Sequence, residues 1–141
     1  MQLRSLGAAT ALCLFAVGAA HAATMHFTAN LEGADEVPSN GTSGTGQVMA
    51  SLDTATKAFD YTITYSGLTG PAMAAHFHGP AAPGSNAPPI IMVMKGPSPM
   101  KGTATLTDAQ IADLTGGRWY FNIHTAANPG GEIRGQLSTA P

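Results

Sequence analysis

"RWYFNIHTAANPGGEIRGQL", Arg118 to Leu137, carries the alternation on which the fold turns. Residues two apart on an extended strand share a face, so Trp119, Phe121 and Ile123 point one way and Tyr120, Asn122 and His124 the other. "NPGG" supplies a tight turn, after which "EIRGQL" resumes the alternation with Ile133 and Leu137 directed inward. Two half-buried strands about a turn are the unit of an antiparallel sheet.

The same period recurs upstream. In "TMHFTANL" the residues Met25, Phe27, Ala29 and Leu31 share one face. A loop broken by Pro38 and Asn40-Gly41 follows. "QVMASLD" and "KAFDYTITYSG" then predict a hairpin around Asp53 to Thr56, with Phe59, Tyr61, Ile63 and Tyr65 on one face of its second strand. "PAMAAHFHG" predicts a strand with Met73, Ala75 and Phe77 on one side and Ala74, His76 and His78 on the other. Beyond the Pro- and Gly-rich "GPAAPGSNAPP", the apolar run "IIMVMKG" is what a strand buried on both faces requires. Only "LTDAQIADLTGG" departs from period two: Thr107 and Gln110 have the spacing of a capping box, and Gly116 is a stop, so one short helix is expected near 107–115. These segments predict an all-β domain, a Greek-key sandwich or barrel of about seven strands.

The first 22 residues have a basic Arg4, an apolar run from Leu6 to Ala20 and the small-residue triplet Ala20-His21-Ala22, the three parts of a secretory signal peptide. The expectation is a leader over 1–22 and a domain over 23–141, periplasmic or secreted and free of the membrane once the leader is cut. The lone Cys13 lies in the leader, so the remaining domain has no disulfide. Without Arg4 that domain carries five basic and eight acidic residues, a balance that argues against nucleic acid as a partner. No Gly-x-Ser-x-Gly elbow or helix-borne phosphate loop is present: "GTSGTG" runs into a strand. No catalytic residue is assigned.

The candidate chemistry lies in histidine. His76 and His78, at i and i+2 of one strand, point to the same face and can converge on one ion, with His124 as a third ligand if its strand lies alongside. Three imidazoles without a thiolate suit copper, with zinc as the alternative, rather than a hard cation. The competing reading has these rings donating hydrogen bonds to carbonyls of "GPAAPGSNAPP" and "TAANPGG". Glu132 and Arg134 either support an imidazole from behind or form a surface or cross-strand ion pair. His26 is a further ligand or a lone exposed ring, and a cut after Ala20 would expose His21 as an amino-terminal chelator. Met73, Met92 and Met94 offer thioethers, but their alternation with Ala, Val and Ile predicts core packing. Trp119 is expected in the core, Tyr120 at the surface, and the adjacent acids Asp35 and Glu36 in solvent.

"AAHFHGPAAPGSNAPPI" and "LTDAQIADLTGGRWYFNIHTAANPGGEIRGQL" resemble the CHRD domain, the module named from chordin and found in small exported bacterial proteins. The likeness runs from about Met25 to Leu137 and implies an immunoglobulin-like β-sandwich. A second resemblance, in "HFH" at 76–78, His124 and "PGGEIRGQL", is to the copper,zinc superoxide dismutase sandwich, although no bridging histidine follows "HFHGP". The expected function is an exported CHRD-type binding protein holding a transition metal, not an enzyme. The alternatives are an extracytoplasmic interaction or adhesion module with structural histidines and, third, a dismutase-like redox enzyme.

Overall fold

Nine strands and one helix make up the fold in the computed structural model, which describes residues 22–141. Residues 1–21 of the expected leader over 1–22, with Cys13 and His21, lie outside the described residues. The strands are β1 (Thr24–Glu32), β2 (Thr45–Asp53), β3 (Ala58–Ser66), β4 (Ala74–His78), β5 (Pro89–Met92), β6 (Met100–Thr105), β7 (Tyr120–His124), β8 (Ile133–Gln136) and β9 (Ser138–Thr139). A 3-10 turn, Gly33–Asp35, follows β1, and helix α1 (Asp108–Thr115) separates β6 from β7.

All pairings are antiparallel, in the order β5-β4-β7-β8-β1-β2-β3-β6, with β9 added to β1. The sheet folds back on itself into a nearly closed barrel, so the all-β expectation holds, with nine strands in place of about seven. Aromatic contacts tie the two ends together. Phe59 on β3 meets Phe77 on β4 edge-on at 5.4 Å and Trp119 at 5.7 Å, while Tyr61 meets Phe77 at 5.1 Å. Such ring pairs add about 0.5–1.5 kcal/mol each beyond the area they bury.

The period-two faces predicted for β1, β3, β4 and β7 are those that line this core: Phe27, Ala29, Leu31, Phe59, Ile63, Ala75, Phe77, Trp119, Phe121 and Ile123 are all buried. The helix forms as its sequence dictates. Thr107 accepts from the Gln110 N–H while the Gln110 side chain accepts from the Thr107 N–H, and Leu114 anchors the helix on the core.

Several expectations fail for identifiable reasons. "IIMVMKG" is not buried on both faces: β5 is the last strand in the order, so Ile90 and Ile91 are half-buried and only Val93 is fully covered. Met73, Met92 and Met94 are exposed, not core. Tyr120 is buried because the loop 79–88 folds over it, its hydroxyl hydrogen-bonding with the N–H and carbonyl of Ala87. Strand β6, to which the sequence reading assigned no element, alternates in burial like its neighbours, and its Gly102 takes a position where a Cβ would overlap the Tyr61 ring.

The two layers join where β8 lies along β1, with Glu32 opposite Arg134. A Cβ at Gly135 would overlap the Asn30 carbonyl oxygen, so only glycine permits this approach. Gly135→Ala is therefore expected to lower the unfolding free energy by more than about 2 kcal/mol in urea titrations. The control Gly130→Ala, whose added Cβ meets nothing within 4 Å, should change it by less than about 0.5 kcal/mol.

Candidate metal centre

Opposed residues on paired strands project from the same face, so the register fixes which side chains meet. On the outer face, Met92, His76, Asn122, Arg134 and Glu32 form one row across β5, β4, β7, β8 and β1. In the next row Ala74 opposes His124, and on the other side His78 opposes Tyr120. The three histidines thus occupy neighbouring points of one lattice. His76 lies 5.4 Å from His78 and 5.1 Å from His124, ring centroid to centroid, and one nitrogen from each ring lies within 4.8 Å of the others.

Their ring nitrogens divide into held and free. His78 Nδ1 lies 2.8 Å from the Ala87 carbonyl and His124 Nδ1 lies 2.9 Å from the Pro129 carbonyl, so in each neutral ring Nδ1–H donates and the lone pair sits on Nε2. These are the two loops that the structural reading of the sequence named. His124 Nε2 and His76 Nδ1 are buried without a hydrogen-bond partner. His78 Nε2 faces the Asn122 side-chain oxygen at 3.0 Å, and half a turn of that amide presents its NH2 instead. Burial, then the neighbouring imidazoles, depresses the pKa of His76. Burial also depresses that of His78, against the hydrogen bonds to Ala87 and Asn122. Both shifts favour neutral rings, which carry the lone pairs a metal needs.

The residues expected to support the imidazoles have different surroundings. Arg134 places its guanidinium carbon 3.5 Å from the Tyr120 ring centre, and Tyr120 stacks on His78 with centroids 4.6 Å apart and planes 3° from parallel. Arg134 also donates to the Ser85 carbonyl and the Asn86 side chain, and so fastens the loop over His78. Glu132 reaches no histidine. Its carboxylate accepts from the hydroxyls of Thr42, Thr69 and Thr125 and from the Thr69 N–H. Burial pushes its pKa up, yet these hydrogen bonds outweigh burial and hold it at about 2. No Glu132–Arg134 ion pair forms. The ion pairs among the described residues are Lys57–Asp108 and Arg118–Asp113.

A nine-stranded sheet with its histidine lattice on the outer face is thus one with the segments that resembled a known module. The family model for the CHRD domain matches residues 27–137, nearly all of the described chain. The chain belongs to the CHRD family. CHRD domains are typically extracellular, and membership supports a binding or interaction module of that type. No curated protein and no solved structure among those compared matches the chain.

Within this CHRD domain His26 stands apart: it is exposed on β1 opposite Ser51 and lines a groove with Met49, Asp60, Tyr61 and Lys101. Asn122 and Tyr120 went unassigned to the site in the sequence, although they share the His124 face in "YFNIH", and that alternation was the available signal. Glu36 carried no signal at all. It was expected in solvent but is 5% exposed, lying against Gly131, whose φ of 132° and missing Cβ make room for the carboxyl. Burial raises its pKa to about 7, with the Arg134 charge and the Asn122 amide pulling it back.

The unfolded chain releases the Glu36 proton near pH 4.5 and the folded chain near 7, so this group weakens the fold as pH rises through that window. Glu36→Gln removes the penalty. Its stability relative to the parent should be constant below pH 4.5 and then rise by about 3 kcal/mol by pH 8, measured by urea unfolding across pH. A difference that does not vary with pH would reject a buried, protonated Glu36.

Proposed function

We propose that this CHRD domain is an exported module that holds one transition-metal ion, copper in the first instance and zinc as the alternative, at His76, His78 and His124. The observation that carries this reading is the pair of buried, unpartnered nitrogens, His76 Nδ1 and His124 Nε2, within a three-histidine cluster. A buried polar atom left unpaired costs about 1–3 kcal/mol, which an ion at the cluster would recover. Donors on an ion with bonds of 2.0–2.1 Å stand roughly 3.3 Å apart in tetrahedral geometry, so the rings must draw inward by modest side-chain rotation. Asn122 releases His78 Nε2 as they do. The Nδ1–H bonds to Ala87 and Pro129 then fix each ring from behind, the arrangement that metal-bound imidazoles use.

Export rests on the leader sequence and on the family, and among the described residues no helix is long and apolar enough to cross a membrane. One observation favours the interaction-module reading instead: both His78 ring nitrogens already have neighbours at hydrogen-bond distance. Metal content separates the two. Untagged protein spanning 23–141 should carry one ion per chain, lost in the His76→Ala, His78→Ala, His124→Ala triple variant. Copper at about 100 times its Kd should add about 2.7 kcal/mol and raise Tm by several degrees in the parent only. An ion-free parent whose Tm does not move when copper and zinc are offered would overturn the metal reading and leave the histidines as loop anchors.

A further inference from the structure

All four exposed large hydrophobic side chains among the described residues are methionines: Met49, Met73, Met92 and Met94. Three of them border the histidine lattice. Met73 donates its backbone N–H to the His124 carbonyl, Met92 sits opposite His76, and Met94 lies two residues beyond on the same edge. Met92 is 69% exposed and Met94 85%, while Val93 between them is buried, so the alternation is real and its outward positions are thioethers. Outward positions on an edge strand are ordinarily polar or charged, which keeps the edge soluble. Packing therefore gives no reason for methionine here.

We propose that Met92 completes the histidine site as a thioether ligand and that the ion held there is cuprous copper. This rests on the three-histidine reading and assigns its metal and oxidation state. Side chains directly opposed on paired strands have Cβ atoms about 4.5–5.5 Å apart, and Sδ lies two freely rotating bonds beyond Cβ, so rotation of the exposed Met92 side chain can carry its sulfur over the His76 ring toward the cluster. Thioethers are soft donors that select Cu(I), whereas Zn(II) and Cu(II) draw on the imidazoles. The donors are all uncharged, which suits a monovalent cation in a partly buried site. The exposure of Met92 and Met94 also leaves the sulfur side open to solvent, the side from which an ion would arrive.

Met92→Leu preserves volume on an exposed edge and so tests the sulfur without disturbing the core. Cu(I) affinity, measured without oxygen by competition with a chromogenic cuprous chelator, should fall at least about tenfold in Met92→Leu. Zn(II) affinity should stay within about twofold, because the imidazoles are intact. X-ray absorption of the Cu(I)-loaded parent should show a sulfur neighbour that is absent in Met92→Leu. Unchanged Cu(I) affinity, or copper without sulfur in the parent, overturns the thioether while leaving the three-histidine site in place. A sulfur signal that survives Met92→Leu and disappears in Met94→Leu overturns the assignment to Met92. A parent that binds neither Cu(I) nor Zn(II), and so matches the triple histidine variant, overturns both readings together.

Discussion

The contact between the Cα of Gly135 and the carbonyl of Asn30 is the constraint on which the rest of the molecule depends, because it lets β8 lie along β1 and makes one sheet of two layers. Without that approach, only the two-residue β9 would set the β5-β4-β7-β8 layer in register against β1-β2-β3-β6. The aromatic residues of β3, β4 and β7 then could not face one another across the core. Once the layers are joined, their inner faces are committed to packing, and the alternation of β4 and β7 sends all three histidines outward. The site follows from the closure.

Beside this outer face the fold buries ionisable groups and treats them differently. Glu132 stays charged because threonines from three separate segments converge on it, linking the loops after β1 and β3 to the β7–β8 turn. Glu36, a short distance along the same loops, has no such donors on Oε1 and is held near neutrality by burial. Arg134 lies between the two chemistries. Its charge is spread over the Tyr120 ring and two loop acceptors, and through Tyr120 it presses on His78. At His124 the loop hydrogen bond occupies Nδ1 and leaves Nε2 buried without a protein partner.

Much of this was legible in the chain. Strict alternation marks a strand half-buried on one face, and β1 and β3 obey it in burial; β4 and β7 carry the same pattern in sequence, although His78, Tyr120 and Asn122 on their outer faces are buried as well. The capping box marks α1 because its two hydrogen bonds are local, closed within four residues. The apolar run at 90–96 misled because hydrophobicity says how well a segment tolerates burial, not whether a neighbour will arrive to cover it. At the sheet edge none does. Glu36 and Tyr120 were misplaced for the converse reason: loops distant in sequence fold over them.

The sequence by itself determined the all-β class, the family, helix α1, and the spacing that puts His76 and His78 on one face, since each is written in patterns along the chain. Only the tertiary structure decided that His124 joins them, that Met92 stands opposite His76, and that Glu36 is buried. Those facts depend on which strands lie side by side and in what register. That choice is made by the packing of aromatic side chains and the close passage of a glycine, interactions between segments that no local pattern encodes.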